Sequence, residues 1–125
     1  VLRVLVADDD RDGTATLAVL LRDQGFEVRE VYRGDAVLDQ VKQFGPHAVV
    51  LDINMPGMSG YDVARELHEL YGPACPLLVA LTAYDKSSDK ILGRLVGFDH
   101  YVTKPYDIQH VVGLLKSNRL GKKSG

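Results

Sequence analysis

A doubly wound α/β domain around a parallel sheet is the fold this sequence predicts, on three observations. Short apolar runs alternate with helix-like stretches five times along 125 residues. The runs AVVL (48–51) and PLLVAL (76–81) are apolar at every position or nearly so, as strands covered on both faces are. The loops between elements are short, so consecutive strands pair through right-handed helical crossovers that place helices on both sides of the sheet.

The elements follow in order. Leu2–Ala7 reads as the first strand. Arg11–Gln24 carries Thr14, Leu17, Ala18 and Leu21 on one helical face, and Gly25 ends it as a C′ glycine does. Glu27–Val31 is a short second strand, and Asp35–Phe44 a helix that buries Val37, Leu38 and Val41. Ala48–Leu51 is the third strand. Tyr61–Leu70 is a helix with Val63, Ala64, Leu67 and Leu70 inward. Leu77–Leu81 is the fourth strand, 87–96 a weaker helix around Ile91 and Leu95, and His100–Thr103 the fifth strand. Over Asp107–Ser117 the stripe Ile108, Val111, Val112, Leu115 recurs at i, i+3, i+4, i+7. The expected organisation is one domain over 1–118 and a flexible polar tail or linker over 119–125.

Composition narrows the function classes. With 46% hydrophobic and 26% charged residues the chain is an ordinary globular one. A net charge of -2 gives no basic footprint, which argues against direct nucleic-acid binding by this domain. Cys75 is the single cysteine, so no internal disulfide forms and a reducing compartment fits. No apolar stretch approaches the roughly 20 residues needed to cross a bilayer, so no membrane contact is expected and the cytoplasm is the expected location. The start at Val1 and the terminal LGKKSG suggest a piece of a longer protein.

The polar residues fall at particular places. In open α/β sheets, ligands bind beyond the carboxyl ends of the strands. Strand one runs into Asp8-Asp9-Asp10, strand three ends at Asp52, strand four at Thr82, and strand five at Lys104-Pro105. Strand two ends in Val31-Tyr32 and delivers nothing ionised. In a flavodoxin-like order, 2-1-3-4-5, strand two lies at an edge, so the strands that carry polar groups are neighbours.

Charge sets the chemistry of that cluster. Two like charges ~5 Å apart repel by roughly 3 kcal/mol at an effective dielectric of about 20. Asp8, Asp9 and Asp52 together therefore need a counter-charge, or their pKa values rise. Three aspartates, Lys104 and one divalent cation sum to zero, and hard oxygen ligands with room for water and phosphate suit Mg²⁺. Asp52 is then placed to attack phosphorus as a nucleophile. Metal and Lys104 would stabilise the equatorial oxygens, and the Thr82 hydroxyl would donate a further hydrogen bond. Asp10 is as well placed to cap the first helix.

LVADDD, LDINMPGMSG, LTA and YVTKPYD together resemble the motif set of response-regulator receiver domains, the phosphoacceptor modules of two-component signalling. The resemblance spans nearly the whole chain. It implies that Asp52 is the phosphorylated aspartate, that Asp9 binds Mg²⁺ (or Mn²⁺) directly, and that Asp8 holds it more through water. It implies the backbone carbonyl of Asn54 as a further metal ligand, and Thr82 and Lys104 as the pair that contacts the phosphoryl oxygens. By the same resemblance Pro105 follows a cis peptide that aims the lysine inward, and Ala83 leaves the site accessible. Tyr101 is the switch aromatic that turns inward when Thr82 is drawn to the phosphate. The readout would be the face made by the fourth helix, the fifth strand and the last helix.

The implied partners are a histidine kinase or a histidine phosphotransfer protein, an output domain or kinase core in the same full-length chain, and a second copy on phosphorylation. GFDHY is similar to receivers fused to sensor histidine kinases, while Tyr106 stands where phenylalanine is more usual. The implied role is a signalling switch that promotes its own phosphorylation and dephosphorylation, with no turnover of a separate substrate. Two other classes compete. A haloacid-dehalogenase-type phosphatase also uses an aspartyl nucleophile and Mg²⁺, but wants aspartate where Asn54 stands. A pseudo-receiver would be expected to lack the acceptor, acid pair or lysine, all of which are present here.

Overall fold

A computed structural model of the chain describes residues 2–83 and 97–117. In order these form β1 (Arg3–Ala7), α1 (Arg11–Asp23), β2 (Glu27–Val31), α2 (Val37–Phe44), β3 (Ala48–Asp52), α3 (Gly60–Tyr71), β4 (Leu77–Thr82), β5 (His100–Thr103) and α4 (Ile108–Ser117). Single 3₁₀ turns, Gly34–Ala36 and Gly72–Ala74, precede α2 and follow α3. The helix expected over 87–96 and the tail over 119–125 lie outside the described residues.

The five strands form one parallel sheet in the order β2-β1-β3-β4-β5, the flavodoxin-like order expected from the sequence. Strand alternation sends side chains to two separate cores. Val4 and Val6 of β1 pack with Leu17, Leu21, Val111 and Leu115 on the α1/α4 side. Leu5 and Ala7 pack with Val41, Val63, Leu67 and Leu78 on the α2/α3 side. Fully burying a leucine such as Leu5 or Leu67 stabilises the fold by about 2–3 kcal/mol, so both helical layers are firmly held.

Helix ends follow local chemistry. Asp10 accepts a hydrogen bond from the Gly13 amide and caps α1, and Ser59 accepts one from Asp62 and caps α3. Gly45, at φ 62°, ends α2 in the left-handed conformation. Two side chains depart from the periodic pattern. Leu38 is only half-buried, and Phe44 joins Val37 and Val41 in covering the sheet. Leu70, expected inward, is 65% exposed. It lies in the last turn of α3, where Tyr71, four residues beyond Leu67, packs against the core in its place.

Candidate functional site

Register builds the site. Ala7 lies opposite Leu51, so the next residues, Asp8 and Asp52, leave the sheet side by side. Asp52 pairs with Leu81, which puts Thr82 one step beyond, and Thr82 pairs with Thr103, one step before Lys104. The Lys104 amide donates to the Thr82 carbonyl at 2.6 Å, tying the two together through the backbone. Four strands thus deliver polar groups to one mouth, and the edge strand β2 delivers none of them.

The charges there are partly shut away from water. Asp8 is 4% exposed, Asp52 6% and Thr82 2%, whereas Asp9 is open to solvent. Lys104 Nζ lies 2.8 Å from Asp8 Oδ2 and 3.6 Å from Asp52 Oδ2. The other Asp8 oxygen accepts from the Asp10 amide at 3.0 Å, and Asp52 Oδ1 accepts from the Asn54 amide at 3.3 Å. Burial first, then the charge of Asp8, push the Asp52 carboxyl up to about 6; Lys104 and the Asn54 amide pull the other way without cancelling this. Burial works against the Lys104 ammonium, but its hydrogen bond to Asp8 and the charges of both aspartates outweigh it and raise its pKa. Burial and the charge of Asp8 likewise raise the Tyr106 phenol, which stays neutral at pH 7.

One lysine between two buried carboxylates, with a third carboxylate at the rim, leaves an excess of negative charge. Oxygen atoms of Asp8, Asp9 and Asp52 all lie within 4.8 Å of one another, a cluster that could hold a metal ion. The donors are hard oxygens, which suit a cation such as Mg²⁺ over a soft metal. Asp10 is not one of these three and caps α1.

Several residues were placed by resemblance alone. The Lys104–Pro105 peptide is cis. Ala83 is exposed. Tyr101 is half-buried, and its hydroxyl lies 3.3 Å from that of Tyr61. Sequence reasoning missed Tyr61, because two tyrosines 40 residues apart carry no spacing signal. It also missed two close backbone approaches at the ends of the 53–59 loop. A Cβ on Gly60 would come within 2.7 Å of the Asp52 carbonyl oxygen, and one on Gly34 would collide with the Met58 carbonyl. Both glycines let neighbouring backbone pack tightly against the 53–59 loop, and the Gly34 amide donates to the Pro56 carbonyl. The glycine and proline content of that loop was the visible signal; its contact with Gly34 was not.

Comparison with known proteins agrees with this arrangement. The family model described as the response regulator receiver domain matches residues 4–116. A putative response regulator from Chloroflexus aurantiacus J-10-fl is similar at 30% identity over 93% of this chain and 95% of that one, with a TM-score of 0.85. The receiver domain of the Francisella response regulator 1452 is similar at 26% identity over the whole of both chains, TM-score 0.87. The BeF3-activated receiver domain of DrrB is similar at 28% identity over 93% of this chain and 95% of that one, TM-score 0.83. A family match spanning most of the chain, on a sheet that gathers the acidic cluster at its carboxyl end, has one reading: the chain belongs to the response regulator receiver domains of two-component systems.

Proposed function

We propose that Asp52 accepts a phosphoryl group from a phosphohistidine donor in a divalent-cation-dependent reaction, and that the aspartyl phosphate switches a face of the domain and is later hydrolysed. The observation that carries this reading is the buried, charge-crowded Asp52 beside Lys104, whose carboxyl is pushed up to about 6. A carboxylate held in this way has little reason to be there as a solvated turn residue.

Asp8, Asp9 and Asp52, with the Asn54 carbonyl, would hold Mg²⁺ or Mn²⁺. When bound, the cation neutralises the carboxylates and the charge that builds on the phosphoryl oxygens. The Asp52 oxygen attacks phosphorus in line, and the donor imidazole leaves with the electron pair of the broken P–N bond. Lys104 moves from its contact with Asp8 to a phosphoryl oxygen, supplying positive charge without leaving the pocket. Thr82, buried on the adjacent strand and joined to Lys104 through the backbone, donates its hydroxyl to another oxygen. That shift makes room for Tyr101 to turn inward, and Ala83 leaves the entrance open. Hydrolysis runs through the same groups with water as the nucleophile, so the domain promotes its own phosphorylation and dephosphorylation and turns over no separate substrate.

Receiver domains as a class work with histidine kinases or phosphotransfer proteins; either would be the donor here. A region of output or kinase function in the same full-length protein, and pairing of two copies on phosphorylation, would be the readout. The test is intact mass after incubation with Mg²⁺ and acetyl phosphate, wild type beside Asp52→Asn. A phosphoryl adduct on the wild type alone, absent when the cation is chelated before the donor is added, is the expected result. An adduct of equal yield on Asp52→Asn would move the acceptor elsewhere.

A further inference from the structure

The outer side of the edge strand β2 carries a second charged region, separate from the acidic pocket. A groove of about 620 Å³ is lined there by Arg11, Arg22, Arg29 and Arg33 together with Glu30 and Tyr32, along the edge of the strand that carries Val28 and Val31. Four guanidiniums against one carboxylate leave a surplus of three positive charges; with Asp35, which holds Arg33 from outside the lining, the surplus is two. In a chain of net charge -2 this is a marked segregation of sign.

The four arginines are held differently. Asp35 binds Arg33 at both oxygens, at 3.0 and 3.1 Å. Arg22 donates to the Val28 carbonyl at 3.0 Å and reaches Glu30 at 3.4 Å. Arg29 lies over the Phe44 ring at 4.6 Å and touches Gln40 at 3.3 Å. Arg11 lies over the Tyr32 ring at 4.2 Å and makes no hydrogen bond or ion pair among the described residues. A stacked guanidinium keeps its N–H donors at the ring's edge, already oriented and weakly hydrated.

We propose that this groove docks an extended acidic segment of a partner protein, whose carboxylates are taken by Arg11 and Arg29. Charge complementarity selects the occupant. The guanidinium–carboxylate pairing is already made once in the groove, by Arg22 with Glu30, and once at its rim, by Arg33 with Asp35, so the geometry accepts carboxylates. A nucleic-acid strand fits less well, because phosphates every ~3.4 Å call for a longer positive stripe. Arg22 occupies the outward Val28 carbonyl, so recognition runs through side chains in preference to a new strand laid along β2.

The test is fluorescence anisotropy of the full chain with a labelled peptide of alternating glutamate and leucine. A single-stranded oligonucleotide of equal charge is titrated in parallel. The expected result is peptide binding that weakens with salt and falls at least about tenfold in the double variant Arg11→Glu, Arg29→Glu. Arg11→Gln with Arg29→Gln, which removes charge without reversing it, should show an intermediate loss and covers the case in which the reversal variant does not fold. No peptide binding at low salt would overturn the proposal, as would binding equal in wild type and the glutamine variant. Tighter binding of the oligonucleotide, lost in the same variants, would also overturn it and assign the groove to nucleic acid.

Discussion

The two ends of the β-sheet are built from the same five strands and treat polar groups in opposite ways. At the amino end each group named has a neutralising or hydrogen-bonding partner. The Arg3 amide donates to His47 Nδ1 at 2.9 Å, Arg3 Nε to the Gly45 carbonyl at 2.9 Å, and the Leu78 amide to Asp99 Oδ2 at 2.8 Å. Burial, with the nearby Arg3 charge, holds His47 below the usual histidine range, so the ring is neutral at pH 7 and its Nδ1 can accept. At the carboxyl end two buried aspartates share one lysine, and the Asp52 carboxyl rises to about 6. One end pairs its polar groups; the other keeps a charge conflict of the kind found at functional sites, which a bound cation would relieve.

Lys104→Ala is the harsher way to probe that contrast. It leaves Asp8 and Asp52 facing each other without a cation, and unfolding free energy at pH 7.5 should fall by about 2 kcal/mol. At pH 5 the loss should be smaller, because Asp52 is then largely protonated. Chemical denaturation at the two pH values checks this. His47→Ala, at the opposite end, removes the acceptor of the Arg3 amide and should cost about 1 kcal/mol. Its phosphoryl adduct by intact mass should equal that of the wild type. A His47→Ala protein that lost phosphorylation would break the division between the two ends.

Much of this was legible in the sequence for a physical reason. Strands covered on both faces must be apolar throughout, so AVVL and LLVAL marked the centre of the sheet, and the residues that end those runs had to emerge at its mouth. Asp8, Asp52, Thr82 and Lys104 were therefore readable as neighbours before any coordinates. Contacts set by packing were not. Leu70 fits the inward stripe by spacing, yet Tyr71 covers that position. The approach of Gly34 to Met58, the Tyr61–Tyr101 hydroxyl pair and the arginine groove all join residues far apart in sequence through side-chain direction, which periodicity does not encode. The 3₁₀ turn at Gly34–Ala36 delays α2 by two residues for the same reason, since Gly34 is engaged with the 53–59 loop.

The central claim is that Asp52 is held against its own charge, and stability against pH tests it most directly. At about pH 3 and below the carboxyl is largely neutral in both folded and unfolded chains. As pH rises from there to about 6, the folded chain keeps a proton that the unfolded chain has lost, so stability falls across that window. Above it the full penalty applies, roughly 3 kcal/mol from a folded value of about 6 against an ordinary 3.8. Asp52→Asn should therefore match the wild type near pH 3 and exceed it in stability by up to that amount at pH 7.5, and Mg²⁺ should narrow the gap by stabilising the wild type more. Parallel pH profiles for the two proteins, with no differential effect of Mg²⁺, would contradict the account.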